Sequence, residues 1–328
     1  MAGLLAALIV GWLVYNARQG FDQFLTLTLN GLTLAGLYFI VAAGFTLIFG
    51  LMRVVNMAHG SLFLLAGYLA FTAQAVWFGV TSNQLSGHVV STVSWIVPLV
   101  FATIVIGCIG LAMQQVLLRW NQGQDLRQAL ITIALSVILA DQMVAHFGGI
   151  AQGVQQPTLW PISVTVLGVR YGFFRLAVVL GSAVGVGLLL WAMIRMTRYG
   201  MIIRAGVDDR SMVSALGINV QLVFAGAFLI GALLAGLGGV LGGTMIAVAP
   251  NYDAQALLTS LIVVIIGGMG SLAGAAIGSL ALGLVSAYAS VYLKFGSADY
   301  TNYAILLTFV LVVVVLAVRP LGLFGRPA

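Results

Sequence analysis

Apolar residues come in long runs along almost the whole chain, at about 3–17, 24–50, 60–80, 95–118, 129–149, 174–194, 222–248, 257–292 and 302–318. Crossing the roughly 30 Å hydrocarbon core of a bilayer takes about 20 apolar residues in a helix. Backbone polar groups in lipid must be satisfied within the segment, so helices are the form such runs take. These runs therefore predict an all-α polytopic membrane protein. Of 328 residues only 6% are charged and 62% are hydrophobic, whereas a soluble domain carries about 25% charged residues. No charge-rich or Pro/Ser-rich linker interrupts the pattern, so 1–328 reads as a single transmembrane domain.

The run 257–292 is long enough for two passes. Its middle, IIGGMGSLAGA, carries Gly267, Gly268, Gly270 and Gly274, which weaken a continuous helix. Two passes give ten crossings and one gives nine. With ten crossings and an inside N-terminus, nine cations fall on the inner side: Arg53, Arg119, Arg127, Arg195, Arg198, Arg204, Arg210, Arg319 and Arg326. Four fall outside, Arg18, Arg170, Arg175 and Lys294. Nine crossings would divide the same thirteen into seven and six. The positive-inside rule favours ten, with both termini inside. It also accounts for the net charge of +6, since the arginines are scattered between apolar runs instead of forming a patch for nucleic acid. The first half of 257–292 then has about 11 apolar residues, roughly 16 Å, and is expected to be partial or tilted. No charge precedes Arg18, so 3–17 reads as a retained, short first membrane segment and not a cleaved signal.

The loop 150–173 divides the ten segments five and five, and an odd number per half would make any repeat inverted. The second segment of each half ends in a break, GLMRVVNMAHG at 50–60 and VAPNYDAQ at 248–255. Broken segments in corresponding positions point to a transport site. Unwound backbone at membrane depth is tolerated only when buried in protein or facing a water-filled cavity. Arg53, Asn56 and His59 in the first break are therefore candidates for the solute pathway, with Gly60 and Ser61 opening the next helix. The amide of Asn56 both donates and accepts, which suits a zwitterionic or amide-bearing solute. The competing reading is a cytoplasmic turn, with Arg53 as a topology signal.

The longest polar stretch is 194–221, IRMTRYGMIIRAGVDDRSMVSALGINVQ. Asp208 or Asp209 can cap a helix. Ser211 to Leu216, with Met212 and Ala215 between them, can form a short helix that Gly217 closes in the left-handed conformation, and Arg210 precedes it in the same loop. Its apolar face, Met212, Val213 and Leu216, suits a partner's groove; a solvated connector is the plainer alternative.

Several chemistries find no support. His59, His88 and His146 have no metal-ligand spacing, so no metal site is expected. No GxxxxGK[ST] motif is present, so any ATP would be bound by another chain. Asp141, near His146 at the end of its segment, could serve a proton relay, but without any Glu in the chain a packing role is preferred. The single Cys108 can form no internal disulfide and reads as lipid-facing or packed. The small-residue spacing in LIGALLAGLGGVLGG lets helices approach closely in lipid.

GLTLAGLYFIVAAGFTLIFGLMRVVNMAHGSLFLLAGY (31–68), RAGVDDRSMVSALGINV (204–220), IIGGMGSLAGAAIG (265–278) and RPLGLFGR (319–326) occur in the order found in one family. The chain resembles the H-type permease subunit of the high-affinity branched-chain amino acid ABC importers, over nearly its whole length. Two positions depart from the family pattern: Ser61 stands where an acid is common, and Met57 where Phe is frequent. The resemblance implies a bacterial inner-membrane complex of this permease, a second related permease, two ATPases that bind ATP and Mg, and a periplasmic solute-binding protein. It implies no cofactor in this chain. The loop around Asp208 to Gly217 would dock on an ATPase, and the broken helices would alternate access for the solute. Urea, short amides and other carboxylates are solutes of related permeases, and an ATP-independent carrier is the rival class.

Overall fold

The computed structural model describes residues 20–325 except 53–54, 81–89, 122, 159, 209, 293, 296–297 and 300–303; side chains at 51, 207–212 and 294–304 also lie outside the description. The described residues form eleven α-helices. Seven are long and apolar enough to cross a membrane, and two more apolar helices are shorter. The proposed first segment, 3–17, lies outside the described residues, as does His88.

The helices are α1 Phe21–Met52, α2 His59–Phe78, α3 Thr92–Ala112 with a π-helical continuation Met113–Leu118, and α4 Asp125–Phe147. A hairpin of β1 Ser163–Val166 and β2 Val169–Gly172 leads through a π turn, Phe174–Leu180, into α5 Gly181–Met196. Two non-spanning helices follow, α6 Arg198–Asp208 and α7 Arg210–Ala215. The chain then forms α8 Val220–Met245, α9 Tyr252–Gly267, α10 Leu272–Tyr292 and α11 Ala304–Val318. The run 257–292 is thus two helices. The first is longer than the sequence predicts, with 16 residues, because it begins before the apolar run, with Asp253 in its first turn where a carboxylate favours the helix dipole.

Most of these helices are apolar all round, so hydrophobic pattern cannot orient them; small residues do. A Cβ on Gly44 would lie 2.6 Å from the Gly231 carbonyl oxygen, and one on Gly231 would lie 2.9 Å from that of Gly44. The α1 and α8 backbones therefore touch. Gly238 faces Val41 and Gly242 faces Leu37, so numbers fall on α8 as they rise on α1 and the pair is antiparallel. Gly31 and Gly283 bring α10 against α1, and Gly107, Gly110 and Gly236 bring α3 against α8.

The pairings are symmetric. The contact of α1 with α10 answers that of α8 with α3. In the same way α2 with α8 answers α9 with α1, and α2 with α3 answers α9 with α10, while α1–α8 and α2–α9 lie across the pseudo-axis. Four helices of one half, 21–147, therefore match four of the other, 220–318, in inverted orientation. The ends of the bundle differ. The β hairpin lies at one end, beside Asn30 and Thr33 of α1 through Tyr171. Helix α6 lies at the other, where the Tyr199 hydroxyl donates to the Val223 carbonyl on the first turn of α8 at 2.7 Å.

A candidate translocation site where two broken helices meet

Both breaks are re-entrant. Helix α1 runs to Met52, and Gly50 near its end abuts Gly270 in the α9–α10 turn. Yet His59, seven residues after Met52, has Nε2 3.0 Å from the Val41 carbonyl oxygen. Val41 lies about 16 Å back along α1 at 1.5 Å per residue. The chain therefore doubles back into the bundle before α2 starts. In the other half, α8 ends at Met245, and the segment after it folds inward. Val248 packs on Gly67 and Gly243. Asn251, at φ 70°, then turns the chain into α9. A Cβ on Gly60 would collide with the Asp253 carbonyl oxygen and come within 2.9 Å of the Leu257 Cβ. The first turns of α2 and α9 thus meet in the interior, and glycine is required at position 60 for them to do so.

Several backbone groups in the described part of these breaks are paired within the protein, as membrane depth requires. The Asn56 side-chain oxygen accepts from Ala58 N–H at 3.1 Å, and its carbonyl accepts from His59 N–H at 3.2 Å. Met57 N–H donates to Thr132 Oγ1 on α4 at 3.2 Å. In the second break, Gln152 and Val248 exchange backbone bonds of 2.8 and 2.5 Å, and Val154 N–H donates to the Gly243 carbonyl. Residues 152–154 are thereby held against the end of α8 and the segment after it. Gln74 holds them from α2, exchanging bonds of 2.9 and 2.8 Å with the Gln155 backbone. That loop is more than the external connector the sequence suggests.

Polar side chains converge on the meeting point. Ser61 Oγ lies 2.8 Å from Ser136 Oγ and donates to Asp253 Oδ2 at 3.4 Å. Asn56, His59, Ser61 and Asp253 are all buried. Asn56 Nδ2, His59 Nδ1 and the Tyr68 hydroxyl have no hydrogen-bond partner among the described residues. The His59 ring also packs edge-on against Phe45, with centroids 5.4 Å apart. A buried polar atom left unpaired costs about 1–3 kcal/mol; Asn56 Nδ2 and His59 Nδ1 are two such atoms at the first break, and Tyr68 lies about 12 Å further along α2, stacked on Phe147. Of the residues expected here, Asn56, His59, Ser61 and Gly60 come together, and Arg53 lies outside the described residues. Thr132, Ser136 and Asp253 were missed. Gln128, Thr132 and Ser136 stand four residues apart on an apolar segment, a polar stripe readable in the sequence. Asp253 sits in a break that the sequence singles out, without a role being assigned to it.

The glycine run in 265–278 works with the C-terminal stretch. Gly267 packs against the Gly274 backbone, and Gly268 and Gly270 adopt φ of 95° and 78°. Leu323 and Phe324 donate their N–H groups to the Ile266 and Gly267 carbonyls, both at 2.9 Å. These are carbonyls that the end of α9 leaves without helical partners.

At the opposite end from the hairpin, α7 spans Arg210–Ala215, and Gly217 closes it with φ 78°. The Gly217 N–H donates to the Ser214 carbonyl at 3.0 Å. Val213 does not join an outward face as expected; it is buried, while Ala215 and Leu216 are exposed. Asp209 and the side chains of Asp208, Arg210, Ser211 and Met212 lie outside the described residues. Asp141 and His146 are both exposed on α4, away from the converging helix starts. Cys108 is exposed on α3, as a lipid-facing residue is.

The sequence profile of the family described as "Branched-chain amino acid transport system / permease component" matches residues 27–316. The chain is 30% identical over 316 residues to the high-affinity branched-chain amino acid transport system permease protein LivH of Salmonella typhimurium, covering 94% of this chain and 98% of that one. Escherichia coli K12 LivH is also 30% identical, over 321 residues, with 94% and 98% covered. The corresponding BraD of Pseudomonas aeruginosa is 29% identical over 313 residues, with 93% and 97% covered. Among solved structures, PsaBC from Streptococcus pneumoniae in complex with Fab aligns with a TM-score of 0.44 at 14% identity, covering 93% of this chain and 94% of that one. The profile match takes in both broken helices and the two inverted halves around them: the chain belongs to the branched-chain amino acid transport system permease family.

Proposed function

We propose that this chain is the permease subunit of an ATP-driven importer that moves branched-chain amino acids across a bacterial inner membrane. The carrying observation is the meeting of the α2 and α9 starts at Gly60 and Asp253, with the unpaired Asn56 Nδ2 and His59 Nδ1 in the adjoining break. Two helix N-termini aimed at one interior point favour the carboxylate of a zwitterion, and Asp253 gives an ammonium group a counter-charge. In this reading Asn56, His59, Ser61 and Arg53 belong to the solute pathway. The chain itself catalyses nothing. Two ATPase chains hold ATP and Mg, and one docks on the α6–α7 region, from Asp208 to Gly217. A second permease completes the channel, and a periplasmic protein delivers the solute. Both chain termini are on the cytoplasmic side, because that places nine of thirteen cations inside.

The test is purification of the tagged chain from its native membrane, followed by ATPase and vesicle uptake assays. Co-purification of two P-loop ATPases and a second permease, with ATP-dependent leucine uptake, is the expected result. Purification alone with ATP-independent flux would overturn it. ATP-dependent uptake of urea or an amide, and not of leucine, would overturn only the solute.

A further inference from the structure

Two clefts lie side by side at the hairpin end of the bundle. One, about 260 Å³, has an apolar wall of Leu27, Leu34 and Met245 and a polar wall that includes Asn30 and Ser286. The other, about 310 Å³, is lined by Gln155, Gln156 and Thr244. Arg175 and Met245 line both, so the two share a wall.

Arg175 belongs to the π turn that starts α5 and is exposed to the clefts. Its guanidinium has five donors. Its one side-chain bond among the described residues is long, Nη1 to Asn30 Oδ1 at 3.5 Å. No carboxylate pairs with it among the described residues. The rim beneath it is fixed. The Tyr171 hydroxyl donates to Asn30 Oδ1 at 3.1 Å and lies 2.9 Å from Thr33 Oγ1. Asn30 is thus held with its oxygen engaged by Tyr171 at the rim of the cleft. A guanidinium with one long bond and no carboxylate partner among the described residues keeps donors for a carboxylate fork. An aliphatic wall lies on one side of it and the polar residues Gln155, Gln156 and Thr244 on the other. That combination fits a zwitterion with an apolar side chain.

We propose that Arg175 and the two clefts form an entry site for aliphatic α-amino acids. Arg175 and Asn30 take the carboxylate, the Leu27–Leu34–Met245 wall takes the side chain, and the Gln155–Gln156 cleft takes the ammonium group. The proposal rests on the permease reading and adds a site separate from the meeting of α2 and α9.

The experiment uses the assembled complex in nanodiscs of neutral phosphatidylcholine, without ATP or the soluble binding protein. Radiolabelled leucine binding is measured in competition with leucine, leucinamide and 4-methylpentanoate. Losing a charged hydrogen-bond partner weakens binding roughly tenfold to a hundredfold. Leucinamide is expected to compete at least that much more weakly than leucine. Arg175→Gln should lose leucine affinity by the same factor and Arg175→Lys by less. Asn30→Ala should raise the leucine KM for uptake and leave maximal velocity near wild type. Equal competition by leucine and leucinamide overturns the site, and that result needs no variant to fold. An Arg175→Gln complex that binds phosphatidylglycerol more weakly but leucine normally makes Arg175 a lipid anchor and also overturns it. Wild-type vesicles that take up leucine with ATP, alongside Arg175→Gln vesicles with the same KM, refute the entry site and leave the permease reading intact. Wild-type vesicles without such uptake refute the reading beneath it.

Discussion

Gly60 is the residue on which two helices close. An added methyl at this position meets the Asp253 carbonyl, which is backbone and cannot rotate away. Overpacking of this kind costs about 1–3 kcal/mol. Gly60→Ala should lower the melting temperature of the detergent-purified chain and reduce uptake. Gly185→Ala on α5, where nothing lies within 4 Å, should do neither. An equal effect of the two would remove the close approach as the cause. His59 and Asn56 differ in kind. Hydrogen bonds between membrane helices average only about 0.6 kcal/mol, so losing the His59–Val41 bond should leave assembly intact. His59→Ala and Asn56→Ala should each cut uptake several-fold at normal membrane levels. Wild-type uptake by both would take them off the pathway. The break, the asparagine and the histidine were all legible in the sequence. Their company was not: Ser61 lacks the acid common at its position in the family, and a carboxylate reaches it from Asp253 at the start of α9, 3.4 Å away. No local pattern links positions so far apart in the chain.

Two elements depend on short segments that look incidental. The 16-residue α9 ends inside the protein, and Leu323 and Phe324 satisfy its last carbonyls. Leu323→Pro removes one of those donors and leaves the Ile266 carbonyl unpaired, at about 1–3 kcal/mol. Faster amide hydrogen exchange across 262–268 is the expected readout, and exchange like wild type would show the cap to be dispensable. At the α6–α7 region, Asp209→Lys combined with Arg210→Glu should uncouple ATP hydrolysis from transport while expression holds. Unchanged coupling would refute docking there. Helix α6 is anchored on α8 by the Tyr199 hydroxyl, and burial pushes this phenol up to about 12. Its folded value lies above its unfolded one of 10.0. The anchorage is therefore complete below pH 10 and fades as pH rises towards 12. Tyr199→Phe should abolish that alkaline dependence. The short helix and its Gly217 stop could be read directly from the residue order, because capping is local. The inward turn of Val213 could not, since it depends on α8 lying alongside.

Across the whole molecule, the inverted halves and the opposed ends make a topological prediction. With Cys108 replaced, a cysteine at Leu167 on the hairpin and one at Leu216 beside α7 should react with a membrane-impermeant maleimide from opposite faces. Leu167 and Leu216 are 75% and 72% exposed, so access is not the limit. Labelling from the same face would contradict the antiparallel α1–α8 pair. Cys108 itself, exposed on an apolar helix, should stay unlabelled from either side.

By itself, the sequence determined the solvent and the helices. Those follow from runs of apolar residues and from where polar residues interrupt them, and both are properties of neighbours in the chain. It also marked the two breaks, because polar residues and glycines inside such runs are visible locally. Only the tertiary structure decided that the breaks fold back into the bundle and that α2 and α9 meet at Gly60. It likewise decided that Gln152 and Val154 pair with the second break and the end of α8, and that the stretch after α11 caps α9. Helices that are apolar on every side carry no pattern that selects a partner. Which backbone lies against which is set by the few glycines that permit contact, and by hydrogen bonds between residues far apart in the sequence.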